Sequence, residues 1–415
     1  MKMNRKAMVL AVGAALAAPS AYSQVKSPAG TDWEFYGKFY PELTRAQGSG
    51  ASAVGTTVST LASAATGVNA VRNNTEMQIN NTYLGFRGSK DLGGGRKAIW
   101  QLEQQVGIDE GSDITKPQIA NRDSFVGAAT NWGTIRLGNM DTPFKKYGDT
   151  VGFLGISSGN FVTTSNVMRK VGFGTKSASS FNLRRPNSVM YDSPEVGGLQ
   201  GAVSFSSGND KTDVPSSATP AQYPRVLSAA VKYETGPLYL AAAHEIHWDL
   251  FGGSNNIAGA VATANSTTTN VNSKDRATQL TAVYKMGIHT FEADINTKKY
   301  DEDGTAGATS FTQYKNTAWE LVMENRWTNQ WRTAFHYIRA NKGSCQLVAT
   351  ACDTTGLEGS QLSAGVAYYL DPAFYLFGLY SKLTNGSSAQ YNNSSQTPNR
   401  GEDITQIAVG LAYTF

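Results

Sequence analysis

Beyond its leader the chain has no run of roughly eighteen consecutive apolar residues, so nothing there can cross a bilayer as a helix. Charged residues are also scarce, at 16% against the roughly 25% of soluble domains, yet a mean hydropathy of -0.32 shows that the chain is not greasy overall. Two cysteines leave room for one disulfide. The four histidines, His244, His247, His289 and His336, are scattered. His244 and His247 lie three apart in a strand-like segment, on opposite faces, with no helical HExxH and no third ligand. No GK[ST] follows the glycine run at 93–95. Zinc and phosphate-loop chemistry therefore have no motif to stand on. No shift in composition marks a domain boundary, which favours one large domain.

What is present begins with an address. Lys2, Arg5 and Lys6 precede an apolar stretch from Ala7 to Ala18, and Ala21-Tyr22-Ser23 offers a small-x-small cleavage site. Residues 1–23 read as a signal peptide and 24–415 as the mature chain. Removing three cations takes the formal +4 to about +1. Net charge then says little about partners, and only its distribution can.

From Trp33 onward one pattern repeats: about ten residues alternating in polarity, then a turn or a long polar loop. The segments run from "WEFYGKFYPEL" through "RKAIWQLEQQVGI", "VLSAAVKYE" and "KNTAWELVMENRW" to "ITQIAVGLAYTF", sixteen in all. Tight connections ("DLGGG", "NWG", "PEVGG", "ETG", "MG", "TNQ", "DPA") alternate with long ones. Short turns on one rim and long loops on the other, with an even strand count, predict an all-β fold: a 16-stranded antiparallel transmembrane β-barrel. Sixteen strands leave room for an aqueous lumen.

The last segment carries Ile407, Val409, Leu411, Tyr413 and Phe415 on one face and small or polar residues on the other. An apolar face that continues to the final residue suits a strand that closes the barrel. Phe415 is then expected to pair with the first strand and to sit in the interfacial aromatic girdle.

The stretches "YLGFRGSKDLGGGRKAIWQLE", "RDSFVGAATNWGTIRLGNMDTP" and "NSVMYDSPEVGGLQGAVSFS", with the terminal aromatic, resemble the general diffusion porins of Gram-negative beta-proteobacteria, the Neisseria and Burkholderia type. The resemblance covers essentially the whole mature chain. It implies an outer-membrane homotrimer that passes small hydrophilic solutes and ions, with the third long loop folded into each lumen. Arg122 and Arg184 match positions that are basic in this family, whereas Tyr83 stands where an arginine is common.

Alternation assigns Lys38, Arg136, Lys232, Glu292, Asp294, Glu320, Glu324, Arg326, Arg332 and His336 to the inner face. The longest loop, taken as 144–185, holds Lys145, Lys146, Arg169, Lys170, Lys176, Arg184 and Arg185 against the single acid Asp149. Such a loop in the lumen predicts a basic eyelet with a partial anion preference. Cys345 and Cys352, in an exported chain, are expected to close a small external loop. Besides outer-membrane lipid, solutes, inorganic ions and its own copies, no partner is called for, neither nucleic acid nor cofactor nor metal. The alternatives are an outer-membrane barrel enzyme or adhesin and a soluble all-β binding protein.

Overall fold

The computed structural model describes residues 25–26, 31–107, 120–148, 151, 153–156, 159–173, 180–207, 224–250, 272–302, 311–393 and 395–415. The leader, Asp149 and Lys176 lie outside the described residues.

Sixteen strands follow the polarity pattern. β1 consists of Thr31–Phe39 and Glu42–Ser49, and β2 of Asn74–Gln78 and Tyr83–Gly93. Next come β3 (Arg96–Gln105), β4 (Ser124–Thr130), β5 (Gly133–Asp141), β6 (Arg184–Asp192), β7 (Leu199–Ser207) and β8 (Arg225–Thr235). The second half comprises β9 (Leu238–Trp248), β10 (Ser273–Met286), β11 (His289–Glu302), β12 (Phe311–Arg326), β13 (Trp331–Ala340), β14 (Gly359–Asp371), β15 (Phe374–Asn385) and β16 (Asp403–Thr414). Every neighbour pair is antiparallel, and β16 pairs with β1 through Asp403↔Ser49 to Gly410↔Glu42 and then Thr414↔Lys38. The sheet thus has no open edge, as backbone in hydrocarbon requires.

The period-two pattern decides which residues face out. On β16, Ile407 and Val409 are 50% and 62% exposed while Ala408 between them is 4% exposed. The same alternation runs through β10 and β12, where Leu280 and Leu321 project outward and Gln279 and Glu320 inward. An apolar surface wrapping the whole barrel is far larger than any patch a monomer keeps in water, so it marks contact with lipid.

The first expected segment, 33–43, is part of a longer strand that breaks at Tyr40 and Pro41, opposite the 79–82 break in β2. Pro41 has no N–H to give the ladder. Its carbonyl accepts from the Leu411 N–H at 3.2 Å, and the Tyr40 N–H donates to Thr82 Oγ1 at 2.9 Å. At the β2–β3 reversal, Gly93, Gly94 and Gly95 have φ of +78°, +62° and +74°, a run of left-handed conformations that only glycine adopts cheaply.

Closure is completed by the last residue. Phe415 and Gly37 exchange backbone hydrogen bonds at 3.0 and 3.1 Å. The Phe415 ring packs 5.4 Å from Phe35 and 5.7 Å from both Phe39 and Tyr413, forming part of an aromatic rim on the short-turn side. On the opposite side Cys345 and Cys352 are joined, their Cα atoms 5.6 Å apart, in the β13–β14 loop.

Candidate functional site: the lumen and its inner loop

The third long loop, 142–183, starts at the end of β5 and enters the barrel. Thr142 caps a short helix, α1 (Pro143–Tyr147), whose first position is a proline with no N–H to satisfy. Its path follows the wall strand by strand. The Phe144 N–H donates to Ser228 Oγ on β8 at 3.0 Å, and the Tyr239 hydroxyl on β9 donates to the Tyr147 carbonyl at 2.9 Å. Gln279 on β10 donates to the Gly148 carbonyl, and the Val151 N–H donates to Glu292 on β11 at 2.6 Å. Phe153 then packs 5.0 Å from His336 on β13, and the Tyr375 hydroxyl on β15 reaches the Leu154 carbonyl at 3.2 Å. On its return, Asn160 donates to Glu42 of β1 at 2.8 Å, and Phe181 stacks on His247 at 4.3 Å.

Cationic side chains hold this path in place by donating to loop carbonyls. Lys38 Nζ donates to Gly155 O at 2.7 Å, Lys298 Nζ to Met168 O at 2.5 Å and Arg400 Nη2 to Phe173 O at 3.3 Å. Arg169, 1% exposed, donates to Gly148 O, to Gln279 Oε1 at 3.2 Å and to Asn182 Oδ1 at 3.0 Å. Lys170 is half-buried and donates to the Asn392 carbonyl and side chain at 3.2 and 3.1 Å; burial holds its ammonium down to about 8. Charge-assisted bonds of this kind contribute about 1.5–3 kcal/mol each.

The loop covers the inner faces of β8–β15 and, at Lys38 and Glu42, part of β1, leaving the start of β1 and the wall from β2 to β6 partly solvated. Charges there come in neighbouring pairs. Arg87 pairs with Glu34, Arg122 with Glu103 at 2.5 Å, and Arg136 with Asp192, which also meets Lys146 at 3.3 Å. Arg184 bridges Asp123 at 2.5 Å and Asp141 at 3.0 Å, and Lys145 meets Asp141 at 2.8 Å. Burial presses the Lys145 ammonium below its ordinary value, with Asp141 pulling the other way. Tyrosine rings support two of the arginines: Tyr36 lies 4.7 Å from the Arg87 guanidinium and Tyr83 lies 4.6 Å from that of Arg122. Tyr83, standing where the family commonly has an arginine, therefore supplies a stacking platform for Arg122.

Several site expectations change in this frame. Arg184 and Arg185 belong to the start of β6 and not to the loop, because Arg184 and Arg185 pair with Asp141 and Met140 in the β5–β6 ladder. Arg169 and Lys170 are anchors turned away from the solvated wall. Glu320 is 2% exposed and lies beneath the loop, in a group with Glu292 and Asp294 whose carboxylate oxygens are within 4.8 Å of one another. Glu324 is buried near the short-turn rim, and Arg326 is half-exposed beside it at 3.5 Å. Lys38 faces inward but is covered by Gly155. The alternation misses the partners of the cations: Glu34, Glu103, Asp123, Asp141 and Asp192. Two were open to reading, since Asp141 precedes Lys145 by four residues and Glu34 shares the inward face of Lys38.

Comparison with known proteins agrees with the architecture. A family model for Gram-negative porins matches residues 7–415. Major outer membrane protein P.IB of Neisseria gonorrhoeae is 36% identical over 138 residues, 33% of this chain and 36% of that protein. Major outer membrane protein P.IA of Neisseria meningitidis is 32% identical over 192 residues, 46% of this chain and 43% of that protein. The matched regions thus span well under half the length of these relatives. Among solved structures, an anion-selective porin from Comamonas acidovorans superposes with a TM-score of 0.65 at 17% identity, over 93% of this chain and 100% of that one. OmpT of Vibrio cholerae, solved in a trimer form, gives 0.59 at 13% identity over 93% and 99%; at these identities the likeness concerns the fold. With a closed sixteen-stranded wall, a lipid-facing exterior and a family match over almost its full length, the chain belongs to the Gram-negative porins and resides in the outer membrane.

Proposed function

We propose that the protein is a water-filled channel for passive diffusion of small hydrophilic solutes and inorganic ions, working as a homotrimer with a weak preference for anions. The observation that carries this reading is the solvated strip of charge on β1–β6 facing an inner loop pinned to the opposite wall. Six cations on that strip and on α1 (Arg87, Arg122, Arg136, Arg184, Lys145, Lys146) meet five carboxylates (Glu34, Glu103, Asp123, Asp141, Asp192). The excess is one positive charge. Pairing shortens the reach of each field, and a single residual charge biases ions without excluding either sign. Side by side, the paired charges also offer donors and acceptors to any polar solute sliding past, while the pinned loop fixes the width of its path.

Reconstitution into planar bilayers tests the reading. Stepwise conductance is expected, with a small zero-current potential of anionic sign in a potassium chloride gradient, and native mass spectrometry in mild detergent should show three copies. A silent bilayer rejects the channel, a cationic potential rejects the preference, and a purely monomeric spectrum rejects the trimer.

A further inference from the structure

The inner loop is held in two different ways along its length. The carbonyls of Gly148, Leu154, Gly155, Phe161 and Met168 each accept from a side chain of the barrel wall. Beyond Met168 the partners change. The Gln390 N–H donates to Gly172 O at 2.7 Å, Lys170 donates to Asn392 and Arg400 donates to Phe173 O. Among the described residues, the hydrogen bonds of this return arm, 170–173, all run to the β15–β16 loop, 386–402. The wall meets the arm through apolar packing, with the Phe173 ring 4.7 Å from Tyr314 and 6.4 Å from Phe311 of β12. Such packing holds without fixing a direction.

The 386–402 loop is in turn fastened to the β1–β2 loop, 50–73. Glu402 is fully buried and accepts from the N–H groups of Ala70 at 2.8 Å, Val71 at 2.9 Å and Asn399 at 2.7 Å. Gly48 makes room for this carboxylate, since a β-carbon there would run into Glu402 Oε1. The Ser52 N–H donates to Arg400 O at 2.8 Å, and the Ser59 N–H donates to Ser388 Oγ at 2.8 Å. Arg400, 3% exposed, sits where the three segments meet. Its Nε donates to Ser63 Oγ at 3.2 Å, its Nη1 to Ser388 O at 3.2 Å and its Nη2 to Phe173 O at 3.3 Å. Burial presses the guanidinium down to about 10, and these three acceptors are neutral. A planar fork can serve all three at once in fixed directions.

We propose that loops 50–73 and 386–402 act as one external clamp on the return arm of the inner loop, and that Arg400 is the residue that positions the arm within it. The wall fixes the outward leg of the inner loop and its tip, while the clamp fixes the way back. Part of the channel's width is then decided by loops outside the barrel, and displacing loop 50–73 moves the arm through Arg400. This role rests on the channel reading and adds a positioning residue to it.

The test compares single channels of wild type, Arg400→Gln, Arg400→Lys, Glu402→Gln and the Arg400→Gln/Glu402→Gln double variant in planar bilayers, each first checked as a heat-modifiable barrel. Losing a charge-assisted bond of this kind raises the population of a released arm about tenfold. While that state stays rare, the variance of the open-channel current rises by the same factor, about tenfold. Glu402→Gln alters only the outer loops, so the same rise there reads transmission to the inner loop. Arg400→Lys keeps the charge without the fork and should behave as Arg400→Gln does. The double variant should be no noisier than the noisier single variant, because both open one joint. Reversal potentials should stay near wild type throughout. Wild-type noise in Glu402→Gln or in Arg400→Lys, a double variant whose noise is the product of the single effects, or a reversal-potential shift as large as Arg184→Gln gives overturns the proposal. Should Arg400→Gln fail to fold, Ser63→Ala, which removes one of the three acceptors, is read in its place, with about a threefold rise expected. A silent wild-type bilayer rejects the channel reading, whereas conducting variants as quiet as wild type reject only the clamp.

Discussion

Replacing Asp123 with asparagine should make the channel more anion-selective, and replacing Arg184 with glutamine should abolish its preference. The two residues form one ion pair at 2.5 Å, so both changes break the same contact but move the wall charge in opposite directions. Six cations against five carboxylates become six against four in the first case and five against five in the second. An ion passing roughly 6 Å from one uncompensated charge feels about 0.7 kcal/mol at the dielectric constant of water. Screening over a Debye length of about 8 Å reduces this to about 0.3 kcal/mol. The effect has opposite signs for chloride and potassium, so their permeability ratio shifts about threefold, or about 20 mV in a tenfold salt gradient. A low-dielectric wall focuses the field and makes these lower bounds. The assay is the reversal potential of single channels, with Arg169→Gln as the internal comparison. Arg169 has the same formal charge but its side chain is buried between the loop and the wall, so the potential of this variant should stay near wild type. Shifts of the same sign for Asp123→Asn and Arg184→Gln, or a shift from Arg169→Gln as large as that from Arg184→Gln, would refute the assignment of charge to the solvated wall.

Arg169→Gln should instead loosen the inner loop, costing about 1.5–3 kcal/mol of local stability and raising open-channel current noise at unchanged reversal potential; wild-type noise would contradict the anchor role. Deleting Phe415 removes the reciprocal bonds to Gly37 and three ring contacts, each aromatic pair worth about 0.5–1.5 kcal/mol. Barrel yield, read as the heat-modifiable band on a gel, should fall sharply, and normal yield would count against closure as the limiting step. Cys352→Ser should leave yield and conductance unchanged but speed proteolysis within 341–358, since closing so small a loop contributes roughly 2–3 kcal/mol locally. A loss of conductance would show that this loop reaches the channel.

The wall was legible because its code is local. Ile407 and Val409 face lipid for the same reason that Ala408 does not, and three consecutive residues suffice to see it. Closure through Phe415 follows from the same alternation carried to the end of the chain. The destination of each loop charge was not legible, because it depends on distant groups. Arg169 is buried by Gln279 from β10 and Asn182 beyond its own turn, and Lys170 is held by Asn392, which lies 222 residues away in sequence. A count of cations along the loop therefore gives its net charge without showing which part of it an ion will meet. The first strand shows the same limit on a smaller scale: its alternation survives the break at Tyr40 and Pro41, but the break itself needs Thr82 and Leu411 to become stable.

The redistribution of charge bears on how a loop with so little secondary structure can set a channel's width. Apart from the five residues of α1 and two three-residue turns of helix, the described residues of the loop form no internal ladder to stiffen it. Its carbonyls at Gly148, Leu154, Gly155, Phe161, Met168 and Phe173 are each taken by a side chain of the wall, another loop or its own Arg169. No described stretch between successive anchors exceeds about half a dozen residues, too short to move far when both ends are fixed. Four of these anchors are lysine or arginine, whose long stems extend from the wall or a loop and whose heads find carbonyl oxygens at the loop's buried side. Cations spent in this way no longer act on permeating ions. A basic loop can therefore narrow a pore while leaving it nearly indifferent to charge, and in the proposed reading selectivity passes to the cations of the facing wall, where one carboxylate more or less cancels or doubles the single excess positive charge.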